Sequence, residues 1–183
     1  MGLKIFFGKK TAKTPDPLKD IILSNLQVGW FVDFDMKTWQ VEACHHYDWG
    51  GGDITPEWQL RSHDETIYLE KESDDEDEWS ISRKIPIARL GSGITKHIIE
   101  HEAPPDQIVF EGTAFHLTET GGGHFYKNGK GPGEEMLKWD YADASENQYL
   151  SVEQWGEEIF EASTGIPAEE YQFTNILPGE SSK

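Results

Sequence analysis

WQLRSHDETIYL (residues 58–69) overlies WDYADASENQYL (residues 139–150) without a gap. Trp58 falls on Trp139, Tyr68 on Tyr149 and Leu69 on Leu150. The overlay extends over residues 58–86 and 139–167 at a constant offset of 81, with nine of 29 positions identical. Upstream, FDMKTWQV (34–41) falls on FEGTAFHL (110–117) at an offset of 76, so the second copy carries five extra residues in a loop. Loops absorb insertions. The matched positions are chiefly aromatic and aliphatic, the residues that a duplicated core keeps.

The stretches around the overlay alternate like strands. In TWQVEAC (38–44), Trp39, Val41 and Ala43 alternate with Gln40, Glu42 and Cys44, the period of a half-buried strand. GWFVDF (29–34) precedes it across a DMK turn, which reads as a hairpin. EWQLRSHD, TIYLEKES and WSISRKIPI continue the first half; IVFEGTAFHLTE, MLKWDYAD, QYLSVEQW and EIFEAS make up the second. DWGGGD (48–53) and TGGGHFYKNGKGPGE (120–134) read as loops. PLKDIILSNL (17–26) has helix-like spacing behind Asp16 and Pro17. Residues 88–106 suit a helix face or a strand, ended by Pro104 and Pro105.

The expectation is one mainly-β domain over residues 25–178. Two tandem antiparallel meanders, about 28–87 and 106–168, form it as a sandwich or a partly open barrel, because each covers the open apolar face of the other. A basic segment with a short helix (1–24) precedes it, and a disordered tail (179–183) follows.

Composition excludes more than it assigns. Asp and Glu number 34 against 16 Lys and Arg, a net charge of -18, which repels a phosphate backbone and argues against nucleic acid. A 12% aromatic content argues against disorder. Cys44 is alone, no run has the length of a membrane helix, and MGLKIFF has no secretory leader pattern. A cytoplasmic protein is expected. Lys4, Lys9, Lys10 and Lys13 make the start of the chain basic, which admits contact of residues 1–13 with a membrane surface.

Four constellations invite chemistry. HIIEH (97–101) fits H-x-x-E-H, in which His97 and His101 hold zinc and Glu100 serves as base. The segment is short and β-branched, and no later helix supplies a third ligand. CHHYDW gathers Cys44, His45, His46 and Asp48, but neighbouring strand residues point to opposite faces, even with His63, His116 or His124 nearby. The glycine-rich stretch fits no phosphate-binding pattern. DDEDE (74–78) lacks the spacing of a calcium loop. Glu72 and Glu153 occupy equivalent positions and suit either paired acid–base work or two outward strand faces.

The pattern GWFVDF…TWQVEA…EWQL…IYLEKE, followed by IVFEGTAFHLTE…WDYAD…YLSVEQWG, resembles the bacterial domain of unknown function numbered 4178 over roughly residues 25–178. The resemblance implies a cytoplasmic accessory protein, often encoded beside polyamine-synthesis and membrane-stress genes, with no catalytic residues to carry over. The expected function is a non-enzymatic binding or adaptor module without a cofactor, for a protein or a small cationic ligand. Its candidate crevice is lined by Trp58, Tyr68, Trp139 and Tyr149. The alternative is a metal-dependent hydrolase built on His97, Glu100 and His101.

Overall fold

The computed structural model describes residues 21–73 and 76–179. Eleven strands form one antiparallel sheet: β1 (Phe31–Phe34), β2 (Lys37–Gly50), β3 (Asp53–Arg61), β4 (Thr66–Ser73), β5 (Asp77–Ile85), β6 (Gln107–Phe110), β7 (Thr113–Tyr126), β8 (Glu134–Asp143), β9 (Tyr149–Trp155), β10 (Ile159–Ala168) and β11 (Thr174–Leu177). Among the described residues one α-helix, α1 (Ile94–His101), lies between β5 and β6.

The sheet returns on itself. Its order is β11-β1-β2-β3-β4-β5-β10-β9-β8-β7-β6, and β2 also pairs with β7. β2, β3, β4, β5, β10, β9, β8 and β7 therefore make a ring, and β1, β11 and β6 extend from it. One seam is long: residues 79–85 of β5 face residues 162–168 of β10, with Arg83 opposite Thr164. The other is short, with His46, Tyr47 and Asp48 facing Tyr126, Phe125 and His124. All strands belong to this one sheet, so the two halves are not the facing sheets of a sandwich.

Hairpin geometry follows from the turns. β1 and β2 meet across Asp35 and Met36, both at positive φ, and β6 and β7 across Glu111 and Gly112, also both positive. Two positive-φ residues match the right-handed twist of the flanking strands. β2 bulges between Val41 and Ala43, and β7 between Leu117 and Glu119. A bulge bends the strand and increases its twist.

Alternation along the strands produces two separate apolar clusters. The first gathers Trp39, Trp58, Leu60, Ile67, Leu69, Trp79 and Ile81 from β2–β5, capped by Leu23, Leu26, Trp30 and Phe173. The second gathers Phe115, Trp139, Tyr141, Leu150 and Val152 from β7–β9, capped by Leu90, Ile94 and Ile98. Each buried large side chain contributes roughly 1.5–3 kcal/mol of transfer free energy. α1 exists for this reason: Ile94 and Ile98, four apart, share its buried face. Burial of that stripe overrides the modest helix propensity of its isoleucines. Glu102, at φ 59, ends the helix before Pro104.

Several local readings need correction. DWGGGD is not all loop, because β2 runs on to Gly50 and β3 starts at Asp53. Residues 120–126 belong to β7, and only the segment beyond them turns. Glycines are required there by close approach: a Cβ on Gly123 would lie 2.6 Å from the Asp48 carbonyl oxygen and 2.9 Å from the Trp49 ring. Of residues 17–26, the first four lie outside the described residues, and the remainder holds a 3-10 turn over Leu23–Asn25 rather than an α-helix. The basic start of the chain, the acidic residues Asp74 and Asp75, and residues 180–183 likewise lie outside the described residues.

Gly123→Ala is expected to strain the short seam and to cost about 1–3 kcal/mol. Thermal unfolding followed by near-UV circular dichroism checks this. Gly93→Ala is the control, since φ there is -106° and a Cβ meets nothing within 4 Å. Equal midpoints for the two variants would show that close approach at Gly123 carries no cost.

Candidate functional site

With the apolar faces turned to the two clusters, the opposite faces of the same strands look into the ring. Contacts between strands that are not ladder neighbours establish this. Tyr47 of β2 reaches Glu153 of β9, and Lys138 of β8 reaches Glu70 of β4. The interior is therefore polar, and the period-two pattern places Glu57, Glu70, Lys138 and Glu153 in it.

Register brings these four together. Glu57 faces Glu70 across β3 and β4, and Lys138 faces Glu153 across β8 and β9. The ungapped overlay gives a different correspondence, in which Glu153 matches Glu72. The ladder departs from it because the β8–β9 turn is two residues longer than the β3–β4 turn: Ala142 pairs with Tyr149, whereas Arg61 pairs with Thr66. By ladder register Glu153 stands beside Lys138 as Glu70 stands beside Glu57, while Tyr68 faces Gln59 and Tyr149 faces Ala142. All four charged residues are buried, between 4% and 9% exposed.

Their partners are specific. Lys138 Nζ donates to Glu70 Oε2 at 3.2 Å, lies 3.7 Å from Asp140 Oδ1, and stands over the Tyr47 ring at 5.4 Å. Burial pushes its ammonium down, but Glu70, Asp140, Glu153 and Glu72 together outweigh that and hold it well above the ordinary lysine value. Tyr47 Oη lies 3.2 Å from Glu57 Oε2 and 3.1 Å from Glu153 Oε1. One phenolic proton serves one carboxylate, so the second contact requires a proton on a carboxyl group. Burial, with Glu70 and Glu153 beside it, lifts Glu57 well above the usual carboxylate range. A carboxyl proton is therefore shared within the Glu57–Tyr47–Glu153 set, with the Tyr47 hydroxyl within reach of both carboxyl groups. Burial raises Glu153 to about 7, against the pull of Lys138.

Beside this cluster opens a cavity of about 320 Å³. Its acidic lining comprises Glu70, Glu72, Glu78, Glu119, Asp140 and Glu146, with Lys138 the single basic residue in the wall. Ser80, Ser82, Ser151 and Ser163 add hydroxyls, and Tyr149 adds a ring. A second chamber of about 240 Å³ shares Glu72, Glu119, Lys138 and Asp140 with the first, and adds Asp53, Thr55 and Trp49. The arrangement suits electrostatic capture of a cation able to donate hydrogen bonds.

The four rings of the expected crevice do not gather at one place. Trp58 and Trp139, 5% and 3% exposed, sit in different apolar clusters. The Trp58 indole donates to the Leu26 carbonyl at 3.0 Å. Tyr149 lines the cavity, and Tyr68 lies on the interior face beneath Lys84, whose ammonium is 5.2 Å from its ring centroid. Trp49, which indole-size reasoning alone does not distinguish from the other tryptophans, lines the second chamber.

The histidine constellations are also placed. His97 and His101 share a face of α1, with rings stacked at 4.2 Å, and His101 Nδ1 lies 3.0 Å from the His97 carbonyl oxygen. Glu100 lies 3.5 Å from Lys96. His45 is turned inward, where burial lowers its basicity, and its Nδ1 accepts from the Asn128 amide at 2.9 Å. His46 instead stacks on Tyr126 at 4.6 Å. Burial raises the Cys44 thiol, the opposite of an activated nucleophile. Among the described residues, no three His, Cys, Asp or Glu side chains converge as a metal site, and no helix is long and apolar enough to cross a membrane.

Comparison with known proteins adds kinship without chemistry. The family described as a domain of unknown function, DUF4178, matches residues 27–170. An uncharacterized protein of Aquifex aeolicus (strain VF5) is 24% identical over 176 residues, covering 96% of each chain. No solved structure matches.

Proposed function

From the premise that this chain belongs to the DUF4178 family, we propose that it is a non-enzymatic cytoplasmic binding module whose ring interior takes a small cationic ligand. The observation that carries this reading is the lining of the cavity beside Lys138, six carboxyl side chains around one ammonium. Serine hydroxyls and carboxylates are acceptors for an ammonium ligand, and Tyr149 offers a ring face for cation–π contact worth about 0.5–2 kcal/mol.

The same reading includes a duplication. Supporting it, β1 and β6 have the same length, as do β2 and β7, and the bulges in β2 and β7 fall at matching positions. Both seams also join matching positions: Arg83 with Thr164, at the offset of 81, and Asp48 with His124, at the offset of 76. A pseudo-two-fold axis through the two seams accounts for all of this. It makes Glu57 the counterpart of Lys138 and Tyr47 the counterpart of Gly123. Divergence at those positions then built an asymmetric interior: the lysine compensates the buried carboxylates, and the glycine leaves room around Trp49.

Spermidine, titrated at low salt while tryptophan fluorescence is followed, tests the binding. A saturable change is expected, weakening steeply as salt rises through the range where the Debye length falls below about 10 Å. Glu78→Gln with Glu119→Gln, both exposed positions of the lining, is expected to weaken binding about tenfold. Equal binding by wild type and double variant would move the cation away from this cavity. No saturable response to spermidine would end the reading.

A further inference from the structure

Tyr47, Glu57 and Glu153 stand beside the cavity but do not line it, and the cation reading leaves them unused. They hold one more proton than an ionised pair of carboxylates and a phenol would, because a single hydroxyl proton cannot satisfy both contacts. Lys138 links them to the cavity. Its ammonium faces Tyr47 on one side and Glu70, a lining residue, on the other.

We propose that the ring interior is a proton-for-cation exchange site, in which a cation entering the acidic cavity expels a proton from the Tyr47–Glu57–Glu153 cluster to solvent. The inference rests on the cation reading above and adds its regulation. A positive charge arriving near Glu70 and Asp140 favours the ionised form of every carboxyl around it. Glu153 is the group that responds near neutral pH. Burial lifts it, Lys138 lowers it and Glu70 lifts it, to a balance at about 7. Glu57 is raised too, through burial and the carboxylates Glu70 and Glu153.

The other charged groups facing this space do not substitute for Glu153. From β2 come His45, kept neutral by burial, and Tyr47, whose phenol burial raises well above its usual value. From β4 come Tyr68, which burial also raises, and Glu72, which burial raises against the pull of Lys138. From β5 comes Lys84, which stays charged through Glu161 of β10 despite burial. β7 supplies Glu119, and β8 supplies Asp140 beside Lys138. From β9, Tyr149 is raised by burial and stays a phenol at neutral pH. Glu57, Glu72 and Glu153 all shift toward neutrality as carboxylates with Lys138 opposing them, and of these Glu57 and Glu153 contact Tyr47.

Calorimetric titration of the full chain with spermidine at pH 7, repeated in buffers of different ionisation enthalpy, counts the protons exchanged. Release of up to about half a proton per bound cation is expected. Apparent affinity should then rise several-fold between pH 6 and pH 7.5. Glu153→Gln keeps the hydrogen bond from Tyr47 and should bind spermidine while losing most of the proton release. Should that variant fail to fold, the buffer series on the wild-type chain still decides. Binding with no buffer-dependent heat overturns the exchange and leaves the cation reading standing. Proton release undiminished in a folded Glu153→Gln protein overturns the assignment to this cluster. Absence of spermidine binding ends both proposals.

Discussion

Lys138→Met is expected to destabilise the fold by about 3–5 kcal/mol, the largest effect of any single substitution in the ring interior. Lys138 is 5% exposed, and its ammonium is the partner of Glu70 and lies within ion-pair distance of Asp140. Methionine matches much of its volume but strands two carboxylates in a space already holding Glu57 and Glu153. The cost comes from the charge left behind rather than from loss of an attractive pair, since the gain from such a pair is largely spent on desolvation. The double variant Lys138→Met with Glu70→Met separates these terms. It is expected to recover most of the loss, because the uncompensated charge leaves with its partner. Denaturant unfolding monitored by tryptophan fluorescence measures both variants. A single-variant loss below about 1 kcal/mol would show that water already screens the cluster, as for an exposed pair. A double variant no better than the single would assign the loss to packing instead.

The same four residues explain what the sequence conceals. Strand periodicity locates the apolar positions, because Trp58, Leu60, Ile67 and Leu69 alternate as any half-buried strand requires. Alternation does not say which side is water. Glu57, Glu70, Lys138 and Glu153 occupy the polar half of that pattern and read as solvent-facing, yet the ring encloses them. The reversal depends on closure at Asp48 and His124, residues far apart in the chain, which no local pattern reports. Trp58 and Trp139 mislead for a related reason: they recur because each anchors its own apolar cluster, on the side of the sheet away from the cavity.

Turn length hides the rest. The ungapped overlay aligns Glu72 with Glu153, and both do face the interior. Two extra residues between Ala142 and Tyr149 nevertheless make Glu70 the ladder partner in the equivalent place. Side-chain direction survives a shift of two, whereas neighbours do not, so a sequence match can preserve the face and still misassign the pair. Gly121, Gly122 and Gly123 gave the appearance of a loop for want of side chains, although Gly123 is fixed in a strand by Asp48 and Trp49. The signal that was present is compositional: Lys138 is a basic residue in a strongly acidic chain, set on a strand between buried Met136 and Trp139.

Stability is expected to fall as pH rises from about 4.5 to about 7, opposite to the trend set by the surface carboxylates. The sign follows from Glu153. Its ordinary value is 4.5, and in the folded chain it stands at about 7. Between those values the folded state holds a proton that the unfolded chain has released, so unfolding becomes more favourable with each step upward in pH. The stabilising contribution is complete below about 4.5 and lost once pH passes about 7. At one pKa unit per 1.36 kcal/mol, its full span is about 3 kcal/mol. Glu57, raised well above the usual carboxylate range by burial, acts with the same sign. Asp33, Asp64, Glu65, Asp77 and Asp143 act in the other direction: hydrogen bonds or cations lower them, so they stabilise the fold above the ordinary carboxylate range and lose that contribution in acid. These groups are largely exposed, and their effect lies below pH 4. Repulsion among the chain's excess negative charges also disfavours the fold as pH rises, so the wild-type curve alone does not isolate Glu153. The difference curve against Glu153→Gln does. Glutamine keeps the acceptor for Tyr47 without titrating, so the variant should gain about 2–3 kcal/mol on wild type at pH 8 and nothing at pH 4. A difference that stays constant across that range would mean that Glu153 ionises inside the ring as easily as in water. The interior would then be wet enough to solvate a carboxylate, and the proton counted between Tyr47 and its two neighbours would have to reside on Glu57 alone.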